Sequence, residues 1–254
     1  MSRNLACFIS DAHLGAVTPA ASERESRLIS FLETIPPDIG YLFIVGDLFD
    51  FWIEYDHAIR PEYFRVLHEL MRLRKAGVEI HYVAGNHDFA LSPFLSNVIG
   101  MTIHPSGCLT TTLQDKLLYI CHGDGLIPSD KGPRVLKKIL CNPVCQKIYK
   151  LLHPNTGIAI AEAFSRLSRT HIHVRSHEAE QEAYRQIAFS LLKGAPDIVI
   201  FAHTHYPEIR SLNGKIYCNT GDWIEHFSYA MLKNGELSLR QYGSDNTIFE
   251  ISPF

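Results

Sequence analysis

The strongest constraint on this chain is a repeated ending. Five short apolar runs of strand character each stop on residues that can ligate a metal. The run at 5–9 leads into Ser10-Asp11-Ala12-His13, and Tyr41–Val45 into Gly46-Asp47-Leu48-Phe49-Asp50. The run at 78–84 leads into Gly85-Asn86-His87-Asp88. Leu117–Cys121 ends on His122-Gly123-Asp124, and Ile198–Ala202 on His203-Thr204-His205. Strand ends are where an α/β sheet presents its functional groups. Residues i and i+2 of an extended chain point the same way, which predicts that Asp11 and His13 reach one ion. A strand buried on both faces reads as an unbroken apolar run, as Tyr41–Val45 does.

The rest of the pattern fits strand–helix alternation. A helix is predicted from Ser22 to Ile35, with Ser22 as N-cap and Glu25 completing a capping box. A second runs from Pro61 to Lys75 and stops before Gly77. After residue 205, Leu212-Asn213-Gly214 and Lys233-Asn234-Gly235 read as hairpin turns. With 254 residues and 46% hydrophobic content, one domain spanning 1–254 can bury a core. No apolar run reaches the roughly 18 residues that span a bilayer. No signal-peptide pattern opens the chain. The six cysteines lack CxxC or dense spacing, so free thiols in a reducing cytoplasm are expected.

Residues 131–175 break the alternation. They hold nine Lys and Arg and a single acid, Glu162, a net +8 that leaves −11 on the remainder. Leu and Ile interleave with the cations, and Pro143 and Pro154 divide the stretch. This predicts a helical insertion, at about 125–180, suited to an anionic amphiphile or an anionic membrane surface. The plain alternative is a solvated face packed on the main body. Few stacking aromatics argue against nucleic acid.

Asp11, His13, Asp47, Asn86, His122, His203 and His205 form a nitrogen and oxygen set without thiolate, which suits Mn²⁺, Fe²⁺ or Zn²⁺. Seven ligands exceed one ion, whereas two ions about 3.5–4 Å apart can share a carboxylate. The ordered motifs resemble the calcineurin-like metallophosphoesterase superfamily. The resemblance implies a four-layer αββα sandwich with a dinuclear site. Asp11, His13 and His205 would hold one metal, Asn86, His122 and His203 the other, and Asp47 would bridge. His87 would face the substrate phosphate as the catalytic proton donor or electrostatic stabiliser. Asp50, Asp88 and Asp124 would orient ligands from behind. Ala202 stands where that superfamily usually has Gly.

The flanks are narrower. Asp47-Leu48-Phe49-Asp50-Phe51-Trp52, Asn86-His87-Asp88-Phe89, His122-Gly123-Asp124-Gly125-Leu126 and Gly221-Asp222-Trp223 are similar to the UDP-2,3-diacylglucosamine diphosphatases of lipid A synthesis. That family implies hydrolysis of the substrate pyrophosphate to UMP and 2,3-diacylglucosamine 1-phosphate by metal-activated hydroxide. It implies Mn²⁺, an acyl-binding helical lid, and a peripheral place at the inner face of the cytoplasmic membrane. Asn86, His87, His203, Asp130, Ser168 and Arg175 would touch substrate. One branch of the family has Arg where this chain has His87, so a related phosphodiester is the alternative substrate. A non-catalytic scaffold of the same fold is disfavoured by the intact ligand set.

The remaining signals have plainer readings. His171-x-His173 falls in a region that reads helical or loop-like, where i and i+2 diverge, and is not read as a metal site. Cys141 and Cys145 are expected to pack as small apolar residues. Trp52 could line the pocket or belong to the core, and Trp223 is read as core support.

Overall fold

The computed structural model describes residues 4–254 except 19, 37, 56, 89, 92, 128–136, 172–176 and 244–247. Side chains are undescribed at 164–171 and 177. The strands are β1 (Leu5–Ile9), β2 (Ile39–Val45), β3 (Glu79–Val83), β4 (Thr102–His104), β5 (Cys108–Leu113) and β6 (Lys116–Cys121). They continue as β7 (Ile198–Phe201), β8 (Glu208–Leu212), β9 (Lys215–Asn219), β10 (Ser228–Lys233), β11 (Glu236–Gln241) and β12 (Ser252–Pro253). The helices are α1 (Ala21–Thr34), α2 (Phe64–Lys75), α3 (Pro143–Lys150), α4 (Pro154–His171) and α5 (His177–Leu192).

The strands form two six-stranded sheets, ordered β11-β10-β1-β2-β3-β4 and β12-β8-β9-β7-β6-β5. β1, β2 and β3 run parallel, as do β6, β7 and β9. Alternation along β1 decides the layers. Ala6 and Phe8 join Phe43 and Val45 against Leu118, Ile120, Ile198 and Ile200 of the second sheet. Leu5, Cys7 and Ile9 face the other way, onto Leu28 and Leu32 of α1 and Val66 and Leu70 of α2. On the far side, Tyr184, Ala188 and Leu192 of α5 cover Val199 and Phe201. The order is therefore helix, sheet, sheet, helix. Both sheets are covered on two faces, which is why their central strands read as unbroken apolar runs.

Several local expectations need correction. α1 begins at Ala21 and has no side-chain cap; Ser22 lies inside it. A turn closed by the Ala21 N–H on the Thr18 carbonyl leads the chain into the helix, and Glu25 faces Arg65 of α2 at 3.6 Å. The second helix opens with a 3₁₀ turn, Pro61–Tyr63. Cys108 and Cys121 lie opposite each other on β5 and β6, with Cα atoms 4.1 Å apart, and are disulfide-bonded where free thiols were expected. Cys141 is exposed, in the turn before α3, because Asn142 caps a new helix there through the Val144 and Cys145 N–H groups. α5 packs on the second sheet through Tyr184, Ala188 and Leu192.

The hairpins at Asn213-Gly214 and Asn234-Gly235 have positive φ at both central residues, as these pairs predict. The β5–β6 hairpin does the same with Gln114 and Asp115, which sequence alone does not mark. The Gln114 amide explains the choice: it donates to the Leu232 carbonyl and accepts the Gly235 N–H, tying one sheet's hairpin to the other's.

His81 Nδ1 and His104 Nε2, on β3 and β4, lie 3.1 Å apart, and the His81 ring stacks on Phe43. Burial lowers both pKa values, and for His81 the charge of His104 adds to this. Below about pH 6.5 the unfolded chain binds more protons than the folded one, so stability falls with falling pH. Thermal melts should show Tm dropping from pH 7.5 to 5, with a shallower drop in His104→Gln. Equal slopes in the two proteins would remove this pair as a cause.

Candidate metal centre

The five motif segments meet at the carboxyl ends of β1, β2, β3, β6 and β7. The hydrogen-bond ladder runs on past the strands. Asp11 N–H donates to the Gly46 carbonyl, His13 N–H to the Asp47 carbonyl, and Ala202 N–H to the His122 carbonyl, at 3.0–3.1 Å. Asp11 and His13 do converge, but not by extended alternation. Both have left-handed backbone, φ +49° and +43°, as do Asp47, His203 and His205. Non-glycine residues rarely adopt this conformation, and its clustering at one place is characteristic of functional sites.

Asp11 and Asp47 are fully buried carboxylates. His205 Nε2 lies 3.4 Å and His13 Nε2 3.9 Å from Asp11 Oδ1. Asp47 Oδ2 is 3.9 Å from His13 Nε2 and 3.3 Å from His122 Nε2. Asn86 Oδ1 completes this side at 3.1 Å from His122 Nε2. The His203 ring lies edge-on to His122 at 5.1 Å. Among the described residues, three sets have ligand-type atoms within 4.8 Å of one another: Asp11–His13–His205, His13–Asp47–His87 and Asp11–Asp47–His122. Asp11, His13 and Asp47 each belong to two of these sets, and Asp47 links the set around His13 to the one around His122.

Asp11 Oδ1 and His13 Nε2 are buried without a hydrogen-bond partner. Such orphans are expensive unless something else satisfies them. Carboxylate and imidazole atoms converging on one another, with these two unpaired, fit a divalent cation set. Electrostatics agree. Burial disfavours the Asp47 carboxylate, yet His122 and His87 hold its pKa well below the usual value. Burial likewise works against a charged His122, but Asp47 pushes it up to about 10. The Asp47 carboxylate and the His122 imidazolium thus stabilise each other's charged forms.

The supporting residues are specific. His122 Nδ1 donates to the Val45 carbonyl, which turns Nε2 to the site. Asp50 Oδ1 stands 3.4 Å behind His13 Nδ1. Asp88 accepts the N–H groups of Asp47 and Gly85 and the Tyr82 hydroxyl, fixing two motif loops together. Asp124 turns to the insertion, where Lys137 Nζ meets it at 2.6 Å. Asp222, to which sequence gave no role, has Oδ2 3.7 Å from His205 Nδ1 and binds the N–H groups of residues 224–226. The signal was present in Gly221-Asp222-Trp223 but attached to no ligand. Trp52 is core, against Phe49, Tyr63 and Phe94. Trp223 is also buried, and its backbone N–H donates to the Asp11 carbonyl. Ser168 lies on α4, but its side chain is not described; Asp130, Arg175 and His173 fall outside the described residues.

The model of the calcineurin-like phosphoesterases matches residues 6–207, a span that contains every one of these ligand-type residues. The chain belongs to that family. Among curated proteins it is similar to the UDP-2,3-diacylglucosamine hydrolase of Porphyromonas gingivalis, 32% identical over 88% of this chain and 92% of the relative. The Neisseria meningitidis serogroup B protein of that name is 29% identical over 91% and 95% of the two chains. The one from Proteus mirabilis is 29% identical over 92% and 98%.

Two glycines let this phosphoesterase site form. A Cβ at Gly46, φ +86°, would fall 2.3 Å from His122 Nδ1, and one at Gly85 would fall 2.1 Å from Asp47 Oδ1. Gly46→Ala should therefore break the His122–Val45 bond, on top of about 1–2 kcal/mol for left-handed backbone. Metal analysis should find fewer ions per chain than in wild type. A wild-type metal content would show that His122 can shift without loss.

Proposed function

We propose that this phosphoesterase hydrolyses the pyrophosphate of UDP-2,3-diacylglucosamine to UMP and 2,3-diacylglucosamine 1-phosphate. The similarity to hydrolases of that name over nine-tenths of their length carries the reading. Asp11, His13 and His205 would hold one divalent ion, Asn86, His122 and His203 a second, and Asp47 both; Mn²⁺ suits the donors. Such a pair supplies Lewis acidity at phosphoryl oxygens and brings the pKa of water towards neutrality.

The chain's own part centres on His87. Its N–H donates to Asp47 Oδ1 at 2.9 Å, and its Nδ1 donates to the Asp50 carbonyl at 2.6 Å. A carbonyl only accepts, so Nδ1 carries a proton and Nε2 is the atom left for substrate. In the imidazolium, Nε2–H donates to a phosphoryl or leaving-group oxygen.

The insertion supports a lipid substrate. α3 has no buried residue, and Val144, Ile148 and Leu151 are 64%, 62% and 85% exposed beside Lys147 and Lys150. An apolar stripe edged by cations suits acyl chains at an anionic surface, so the enzyme works as a peripheral protein on the cytoplasmic membrane face. No helix among the described residues is long and apolar enough to cross a membrane. The test is UMP release from UDP-2,3-diacylglucosamine by the Mn²⁺-loaded protein. No release, with a soluble phosphodiester still cleaved, would favour a different phosphodiester as substrate.

A further inference from the structure

Glu162, the one acid of the basic segment, is spent on a contact with the main body. Its Oε1 lies 2.9 Å from Arg60 Nη2, in a pair whose side chains are 23% and 11% exposed. Arg60 is itself held, by Glu62 at 3.6 Å and by the Tyr63 ring 5.2 Å beneath its guanidinium. Beside this pair α4 makes a backbone-close approach. A Cβ at Gly157 would fall 2.0 Å from the Tyr55 hydroxyl oxygen and 3.2 Å from the Tyr149 ring. Tyr149 of α3 donates its hydroxyl to the Gly157 carbonyl, so both insertion helices are gathered at one seam.

Tyr55 and Arg60 belong to the segment 51–60, which begins where His87 is seated. The Asp50 carbonyl takes His87 Nδ1, and the Trp52 N–H donates to the His87 carbonyl at 3.3 Å. The insertion is thus fixed to the segment against which the phosphate-facing histidine is seated. Gly157 permits the approach, and the ion pair sets its register along α4. A partly buried charge pair has strong geometric demands, because either partner alone is left desolvated.

We propose that Arg60, Glu162 and Gly157 are positioning residues that hold the insertion at a fixed place over the phosphoester site and thereby set affinity for the diacylated substrate. The substrate named here rests on the function proposed above. None of the three touches the phosphoester, so their effect falls on KM for the acylated substrate and not on kcat.

The test uses Arg60→Glu, Glu162→Arg, their charge-swapped double variant and Gly157→Val. Each is assayed on UDP-2,3-diacylglucosamine and on bis(4-nitrophenyl) phosphate, and amide hydrogen exchange is followed over 143–162. The single charge variants should raise KM for the lipid about tenfold or more, with kcat within about threefold, and the swap should restore most of the loss. Exchange should rise in the singles and in Gly157→Val, and fall back in the swap. An equal loss on both substrates, or no recovery in the swap, would overturn the proposal. If wild type releases no UMP, the substrate reading fails; exchange then decides, since unchanged protection in the singles overturns the proposal and swap-restored protection upholds the positioning role.

Discussion

Asp47→Ala, purified and reloaded with Mn²⁺, should bind less metal than wild type and release UMP at least about 10³-fold more slowly, the equivalent of about 4 kcal/mol of transition-state stabilisation. Asp47 is buried between the two ligand groups, 3.3 Å from His122 Nε2 and 3.9 Å from His13 Nε2. Its other oxygen accepts the His87 N–H. One truncation therefore removes the shared negative charge and loosens His87, the residue proposed to meet the phosphate. Asp47→Asn separates the two contributions, because an amide oxygen can still accept the His87 N–H while the charge is gone. Metal analysis and UMP release on the same preparations are the measurements, with circular dichroism to confirm the fold. Wild-type metal content together with a wild-type rate in Asp47→Ala would remove Asp47 from the site.

The second large effect belongs to the insertion. Ile148→Asp/Leu151→Asp should abolish sedimentation with vesicles containing anionic lipid and cut turnover of vesicle-borne substrate. Both side chains lie mostly in water in the isolated protein, so their replacement should cost the fold little. Full burial of a Leu or Ile side chain is worth about 1.5–3 kcal/mol, so losing two lowers the partition constant by about 100-fold or more. Cleavage of a soluble phosphodiester should persist, since neither residue belongs to a ligand-type set. Raising salt should weaken wild-type binding as well, because Lys147 and Lys150 act through screened charge. If the double variant binds vesicles as wild type does, the exposed face of α3 is an ordinary solvated surface.

The convergence of the motif residues follows from a local pattern. Each ligand-type residue lies just beyond the end of a buried strand, so the pattern of apolar run and polar ending appears in five contiguous pieces of sequence. Parallel strands then bring those endings to one edge. What failed to show was carried by other mechanisms. The convergence of Asp11 and His13 comes from two left-handed residues, a conformation no side-chain pattern announces outside Gly and Asn. The α1 start is closed by a backbone turn, so the Ser22–Glu25 pattern is a capping box in letters only. The Gln114-Asp115 hairpin depends on a side chain reaching residues 232 and 235, more than a hundred positions away. The Tyr82–Asp88 hydrogen bond and the approach of Asp222 to His205 both depend on how distant loops are packed.

The sequence by itself determined the order of the ligand-type residues along the strands, the chemistry of their donor atoms and the charge asymmetry of residues 131–175. These follow from residue type and short-range spacing. Tertiary structure decided which side chains share a place. It put Asp47 between His13 and His122, turned Asp124 to Lys137, and joined Glu162 to Arg60 across 102 residues. Those pairings arise from the stacking of two sheets and the docking of a helix. No periodicity encodes such contacts, because their geometry is fixed only when the whole core has closed.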